Sequence, residues 1–152
     1  MEFGVEYSKV EGGVQMARDF KTLVAWQHAH KLTLAVYRAT RSFPNDERFG
    51  VTSQVRRAAS SVAANLAESS AKSSPADCLR IMEIALGSLR ETEYFLLLSH
   101  DLCYFDDESY QDLVAVTDET ARTLTGLIFS IRQRSAKLTN RNATSHIEIS
   151  GH

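Results

Sequence analysis

Proline is nearly absent from this chain, with two residues in 152, and glycine is held to seven. Both residues punctuate helices and strands, so their scarcity leaves long stretches in which hydrophobic periodicity decides the local fold. Cysteine is equally scarce. Cys78 and Cys103 are too few and too far apart for a disulfide framework or a zinc site, both of which need clustered pairs. They are expected to be reduced and mostly buried. The formal net charge is only -2, and the sequence pI is near 6.2. No global field therefore draws the chain to nucleic acid or to a membrane, and any basic surface has to be local. No apolar run approaches a membrane span, and "MEFGVEYSKVEGG" puts acids where a signal peptide needs a basic start and an apolar centre. These absences imply a cytoplasmic protein with no membrane partner, in which the glycosylation match "NAT" at 142–144 stays idle.

What remains is the pattern of one domain, long enough to bury roughly 70% of the surface its unfolded chain exposes. Residues 1–18 are polar, carry Gly4, Gly12 and Gly13, and read as a flexible leader. Residues 139–152, "TNRNATSHIEISGH", read as a flexible tail. The interval 19–138 contains four stretches of helical spacing. In the first, about 22–42, Ala25, Ala29, Leu32, Val36 and Ala39 form a core stripe, and Phe43-Pro44 ends it because the residue before proline is pushed out of helical angles. After "NDERFG", the second covers 52–72, with Val55, Ala59, Val62 and Leu66 as its stripe. Ser74-Pro75-Ala76-Asp77 is a helix start: a cap, a proline at the first helical position and an acid where a capping box places one. The helix it opens runs to about Leu102 and contains "YFLLL" at 94–98, apolar around its whole circumference, which implies a subunit interface as well as a core.

Asp106, Asp107 and Glu108 favour a fourth helix start through the macrodipole. Tyr110, Leu113, Thr117, Ala121, Leu124, Ile128 and Ile131 continue it, and Arg132, Arg134 and Lys137 complement its end. Short links between helices of similar length predict an all-α, antiparallel up-and-down four-helix bundle.

The second helix carries a polar face of an unusual kind. Arg57, Ser61, Asn65 and Glu68 are spaced four, four and three apart, beside Ala58, Ala59, Ala63, Ala64 and Ala67. Small side chains let a facing helix come close, and polar groups beside such a contact must find partners or cost about 1–3 kcal/mol each. Glu83 and Glu91 on the third helix are the available acids. The expectation is a polar network of Arg57, Asn65, Glu68 and one of those glutamates, within or between subunits; the plainer reading is a solvated helix face.

The stretches "DFKTLVAWQHAHKLTLAVYRATRSFP", "TSQVRRAASSVAANLAES" and "IMEIALGSLRETE" also carry a resemblance. Trp26, Tyr37, Phe43-Pro44, Gln54, Arg57, Asn65, Ala67-Glu68 and Gly87-Ser88-Leu89 follow the order and spacing of the bacterial four-helix-bundle proteins named for intervening sequences in 23S ribosomal RNA genes, also labelled S23 ribosomal proteins. The chain resembles this family over about 19–137, with Ser69 standing where the family usually has glycine. The resemblance implies a bundle that assembles as a ring, commonly a pentamer, with no established enzymatic activity. Some relatives, encoded in retroelements, act as accessory subunits of a reverse transcriptase and bind nucleic acid.

Three classes of function follow for weighing. A nucleic-acid-binding accessory protein would use a local basic patch of Lys31, Arg38 and Arg41 on the first helix with Arg48, Arg56 and Arg57 on the second, repeated around a ring; RNA or DNA is then the partner. A protein-interaction scaffold would use the apolar surface around "YFLLL". An enzyme of the di-iron bundle type needs Glu-x-x-His pairs, and the sequence has none; His28 and His30 point apart, and the serines of the second helix have no histidine near in sequence. No catalytic residue, metal ligand or cofactor is expected, and Trp26 and Tyr37 read as core and interface anchors.

Overall fold

A computed structural model describes residues 9–10, 13–14 and 19–149, with side-chain surroundings for 19–144. A two-residue hairpin, β1 (Lys9–Val10) and β2 (Gly13–Val14), pairs antiparallel with Lys9 opposite Val14. The rest of the leader at 1–18 lies outside the described residues. The bundle is built from α1 (Val24–Ala39), α2 (Val51–Ser70), α3 (Pro75–Asp101) and α4 (Asp107–Ile149). Each helix packs on the next, and α4 closes the ring against α1, giving an antiparallel up-and-down four-helix bundle.

The predicted stripes face inward. Ala25, Ala29, Leu32 and Val36 of α1, Val55, Ala59, Val62 and Leu66 of α2, and Leu113, Leu124, Ile128 and Ile131 of α4 are buried. From α3 the core receives Met82, Ala85, Leu89 and Leu96. Small residues set the closest approaches. Thr33 Oγ1 on α1 donates to the Ala59 carbonyl of α2 at 3.1 Å, a contact that a larger side chain at that site would push apart. The α2–α3 contact is the most extensive in the bundle.

Most buried hydroxyls are satisfied within their own helix. Thr40, Thr92, Ser99, Thr117 and Thr120 each donate to the carbonyl four residues earlier, at 2.7 to 2.9 Å. Thr52 Oγ1 is buried without a hydrogen-bond partner among the described residues.

The helix ends follow local chemistry. Ser74 Oγ accepts from the Asp77 N–H at 3.4 Å with Pro75 at the first helical position, and Asp106 accepts from the Ser109 N–H at 2.8 Å at the start of α4. At α2, which starts just after Gly50, the cap comes from Glu47: its Oε2 accepts from the Val51 N–H at 2.9 Å. A Cβ at Gly50 would sit against that carboxylate oxygen, so the close approach favours glycine there. α2 ends at Ser70 by tightening its last turn, with Ala71 N–H donating to Glu68 O and Lys72 N–H to Ser69 O. Ser69 itself is buried and donates to Leu66 O at 2.7 Å.

The turn after α3 is different. Cys103 takes φ +59°, its N–H donates to His100 O, and Tyr104 N–H donates to Ser99 O, which together make a Schellman motif with cysteine at the position that favours glycine. Cys103 is exposed, contrary to the expectation that both thiols are mostly buried; the left-handed turn lifts it off the core. Cys78 is buried, and burial pushes its thiol pKa up, opposed by a hydrogen bond with Ser69.

The segment from Thr139, read from its composition as a tail, continues α4 to Ile149; residues 150–152 lie outside the described residues. Nothing between Asp107 and Ile149 breaks a helix except the exposed Gly126, so propensity carries the helix past the end of its core stripe at Ile131.

Candidate interaction surfaces

Adjacent arginines on α2 are separated by about 100° around the helix axis, and this divides the predicted basic patch. Arg56 turns toward α1. Its Nε–H donates to Thr40 Oγ1 at 2.7 Å, and its guanidinium lies 4.7 Å from the centroid of the Tyr37 ring. Arg57 turns toward α3, where it holds an ion pair with Glu91 and donates to Gln54 Oε1 at 3.1 Å. Lys31, Arg38 and Arg41 are exposed on α1 and the turn that follows it. Arg48, assigned from sequence to the second helix, precedes α2 and lies over the Phe49 ring at 4.8 Å. Lys31, Arg38, Arg41, Arg48 and Arg56 make no ion pair among the described residues. Arg90, Arg122 and Arg132 each hold a glutamate.

The candidate polar network separates into pieces within one chain. Asn65 Nδ2 donates to Ser61 O at 2.8 Å and to Ser61 Oγ at 3.1 Å, and Ser88 Oγ of α3 donates to Ser61 Oγ at 3.1 Å. This hydroxyl–amide chain ties α2 to α3, beside the Arg57–Glu91 pair. Glu68 goes instead to Lys72 one turn on, at 3.6 Å, and Glu83 goes to Arg132 of α4. The spacing of the four α2 residues put them on one face, but the distance along α3 decides which acid each can reach. Ser61 and Ser88, the residues that bridge the helices, are small hydroxyls with no charge to mark them; the sequence signals were Ser61's place on the polar face and Ser88's place in the Gly87-Ser88-Leu89 stretch of the resemblance.

The histidines are dispersed. His28 faces Glu119 at 3.8 Å, His30 stacks on Trp26 with centroids 4.9 Å apart, and His100 Nε2 meets Asp107 Oδ1 at 2.5 Å while stacking on Tyr110. No group of three or more His, Cys, Asp or Glu residues that could hold a metal ion occurs among the described residues. Trp26 is half-buried against Phe20, whereas Tyr37, read as an anchor, is 45% exposed beneath Arg56.

At the end of the bundle where α1 meets α2 and α3 meets α4, Tyr104 OH donates to Glu47 Oε1 at 2.8 Å. Two hydrogen bonds, first from the Val51 N–H and then from Tyr104, hold the Glu47 carboxyl below the usual carboxylate range. The same bond raises the Tyr104 phenol.

Exposed large apolar side chains also stand on α3 and α4. Within "YFLLL" Leu96 is buried, Phe95 and Leu98 are half-buried, and Tyr94 and Leu97 are exposed. Tyr94 is 58% exposed, Ile84 stands on the same helix, and Phe129 of α4 is 63% exposed in a groove shared with Leu86 and Gly126. No described helix is long and apolar enough to cross a membrane.

The fold thus defines a four-helix bundle whose distinctive chemistry lies on its surfaces. The family model described as 23S rRNA-intervening sequence protein matches residues 21–126, and the chain belongs to that family. Among solved structures, it is similar to a protein of unknown function from the S23 ribosomal protein family of Bacteroides thetaiotaomicron VPI-5482. That likeness has a TM-score of 0.64 at 24% identity and covers 69% of this chain and 95% of the other, which supports the fold. No curated protein matches the chain.

Proposed function

We propose that this protein is a non-catalytic module that assembles with copies of itself and serves as a scaffold for a protein partner. The observation that carries the reading is the exposure of Ile84, Tyr94 and Leu97 on α3 together with Phe129 on α4. Exposed large apolar side chains mark association surfaces, because covering them removes apolar area from water, and Tyr94 and Leu97 stand within one turn of each other on α3. The family resemblance adds the expectation of a ring, with five subunits as its common form. Light scattering on the purified chain tests this directly: a mass several times the 17.0 kDa protomer supports it, and a protomer mass at high concentration refutes it.

A second reading is favoured by a different observation. Arg38, Arg41, Arg48 and Arg56 carry charge that no acid neutralises among the described residues, at the corner where α1 passes to α2. Such cations can take phosphates, and ring symmetry would multiply the contact. The net charge of -2 makes this a local property of one surface. Binding to labelled RNA and DNA that weakens steeply between about 50 and 200 mM salt supports it; absence of binding at low salt refutes it.

A further inference from the structure

We propose that the α1–α2 corner is a stacking platform for unpaired nucleobases, so that its ligand is single-stranded nucleic acid. The proposal rests on the second reading above and names the class of strand.

Two cation–aromatic pairs stand on this corner: Arg48 over Phe49 at 4.8 Å and Arg56 over Tyr37 at 4.7 Å. Phe49 is 84% exposed, the largest value among the exposed large apolar residues. A phenylalanine ring in water adds nothing to the core, and its position beside an unpaired arginine gives it a flat face with a cation at hand. Arg56 is held in place. Its Nε–H is taken by the buried Thr40 hydroxyl, which donates in turn to Val36 O at 2.9 Å. Its terminal nitrogens make one long contact, 3.5 Å to Tyr37 O. The arginine is therefore ordered without being neutralised.

Two acids stand in the same connection: Glu47, held as a carboxylate by the Val51 N–H and the Tyr104 hydroxyl, and the exposed Asp46; they offset part of the charge of Arg38, Arg41, Arg48 and Arg56 and leave the corner with an excess of cations. Asp106 and Asp107 in the α3–α4 turn cap α4 and meet His100 at the same end of the bundle. Their charge repels phosphate there, whereas on the α1–α2 side four arginines outnumber Asp46 and Glu47, and this difference favours a strand on the α1–α2 side. A ligand for this corner must supply planar π-faces with negative charge between them. Unpaired bases on a phosphodiester chain do so, whereas in a duplex the faces are already stacked. An acidic peptide matches the charge and leaves the rings uncovered.

The test uses the full chain and fluorescence anisotropy. Probes are labelled single strands of RNA and of DNA, an abasic DNA strand of equal length, and a duplex, each measured with wild type and Phe49→Leu. Stacking is worth about 1–3 kcal/mol per base, so a base-bearing strand should bind roughly 5- to 150-fold more tightly than the abasic one. Phe49→Leu should remove at least about fivefold of that preference while leaving abasic affinity and the salt slope unchanged. RNA favoured over DNA assigns the strand as RNA, and equal affinity assigns both; either supports the platform. Equal binding of base-bearing and abasic strands, unmoved by Phe49→Leu, overturns the platform while salt-sensitive binding keeps the phosphate reading. No binding of any probe at low salt overturns both. A Phe49→Leu effect on assembly mass alone assigns the ring to a protein contact and overturns the proposal.

Discussion

Replacing Tyr94 with glutamate separates assembly from folding, because the side chain is 58% exposed in the single chain. Aromatic side chains bury about 150–250 Å² when covered, so full cover of the exposed part of Tyr94 would remove about 90–140 Å². At about 25 cal/mol per Å² this is worth roughly 2–4 kcal/mol per protomer, an upper figure for one residue of an interface. Glutamate forfeits that burial and adds a carboxylate with no partner in place. Dissociation should therefore shift to protein concentrations on the order of 40-fold higher, since each 1.4 kcal/mol is a factor of ten. Melting of the isolated protomer should move by no more than about 0.5 kcal/mol, as for other exposed positions. Light scattering over a dilution series reads the first effect, and thermal melting at a concentration where the variant is monomeric reads the second. Tyr94→Phe, which keeps the ring, should assemble as wild type. An unchanged mass for Tyr94→Glu through the dilution series would refute the assignment of this face to assembly. A collapse of the protomer's melting would refute the placement of Tyr94 outside the core.

Three further outcomes follow from the fold. Cys103→Gly should stabilise the protein by about 0.5–1 kcal/mol, the left-handed penalty of roughly 1–2 kcal/mol less glycine's greater freedom when unfolded, and so raise Tm by about 1–4 °C; Cys103→Ala should bring no such gain. Thr52→Val removes a buried hydroxyl that has no partner among the described residues and should stabilise by about 1 kcal/mol in denaturant titration; a loss would show that the hydroxyl is satisfied in solution. Glu47, with its pKa lowered in the fold, contributes stability that is fully present above the ordinary glutamate value of about 4.3 and is lost as pH falls through the lowered value. Glu47→Gln should consequently show a smaller fall of Tm between about pH 5 and pH 3 than wild type, and an equal fall would remove Glu47 from the account of acid sensitivity.

Much of the bundle is legible in the sequence. Ser74-Pro75-Ala76-Asp77 marked the start of α3 through its cap, and Asp106, Asp107 and Glu108 marked that of α4 through the macrodipole, because both effects act within one turn and need only neighbours in sequence; that Asp106 also caps α4 came from the structure. The Val55, Ala59, Val62, Leu66 stripe marked the inward face of α2 for the same reason: burial at intervals of three and four is a property of one helix. The cap of α2 was less visible. Gly50 offers no side chain, and the carboxylate that does the capping belongs to Glu47, in a turn whose path the spacing does not determine. Cys103 in a left-handed turn gave no sign, since cysteine has no preference for that conformation.

Helix identity, inward faces and most caps were thus determined by the chain itself, through interactions that reach no further than four residues. Only the tertiary structure decided which neighbour each outward residue meets. Arg56 and Arg57 are adjacent in sequence, yet one stacks on Tyr37 of α1 and the other pairs with Glu91 of α3. Glu68 and Glu83, both candidates for the same network, reach Lys72 and Arg132 instead. A step of one residue turns a side chain by about 100° about its helix, so partner choice depends on where the other helices stand around it, and local periodicity carries no record of that arrangement.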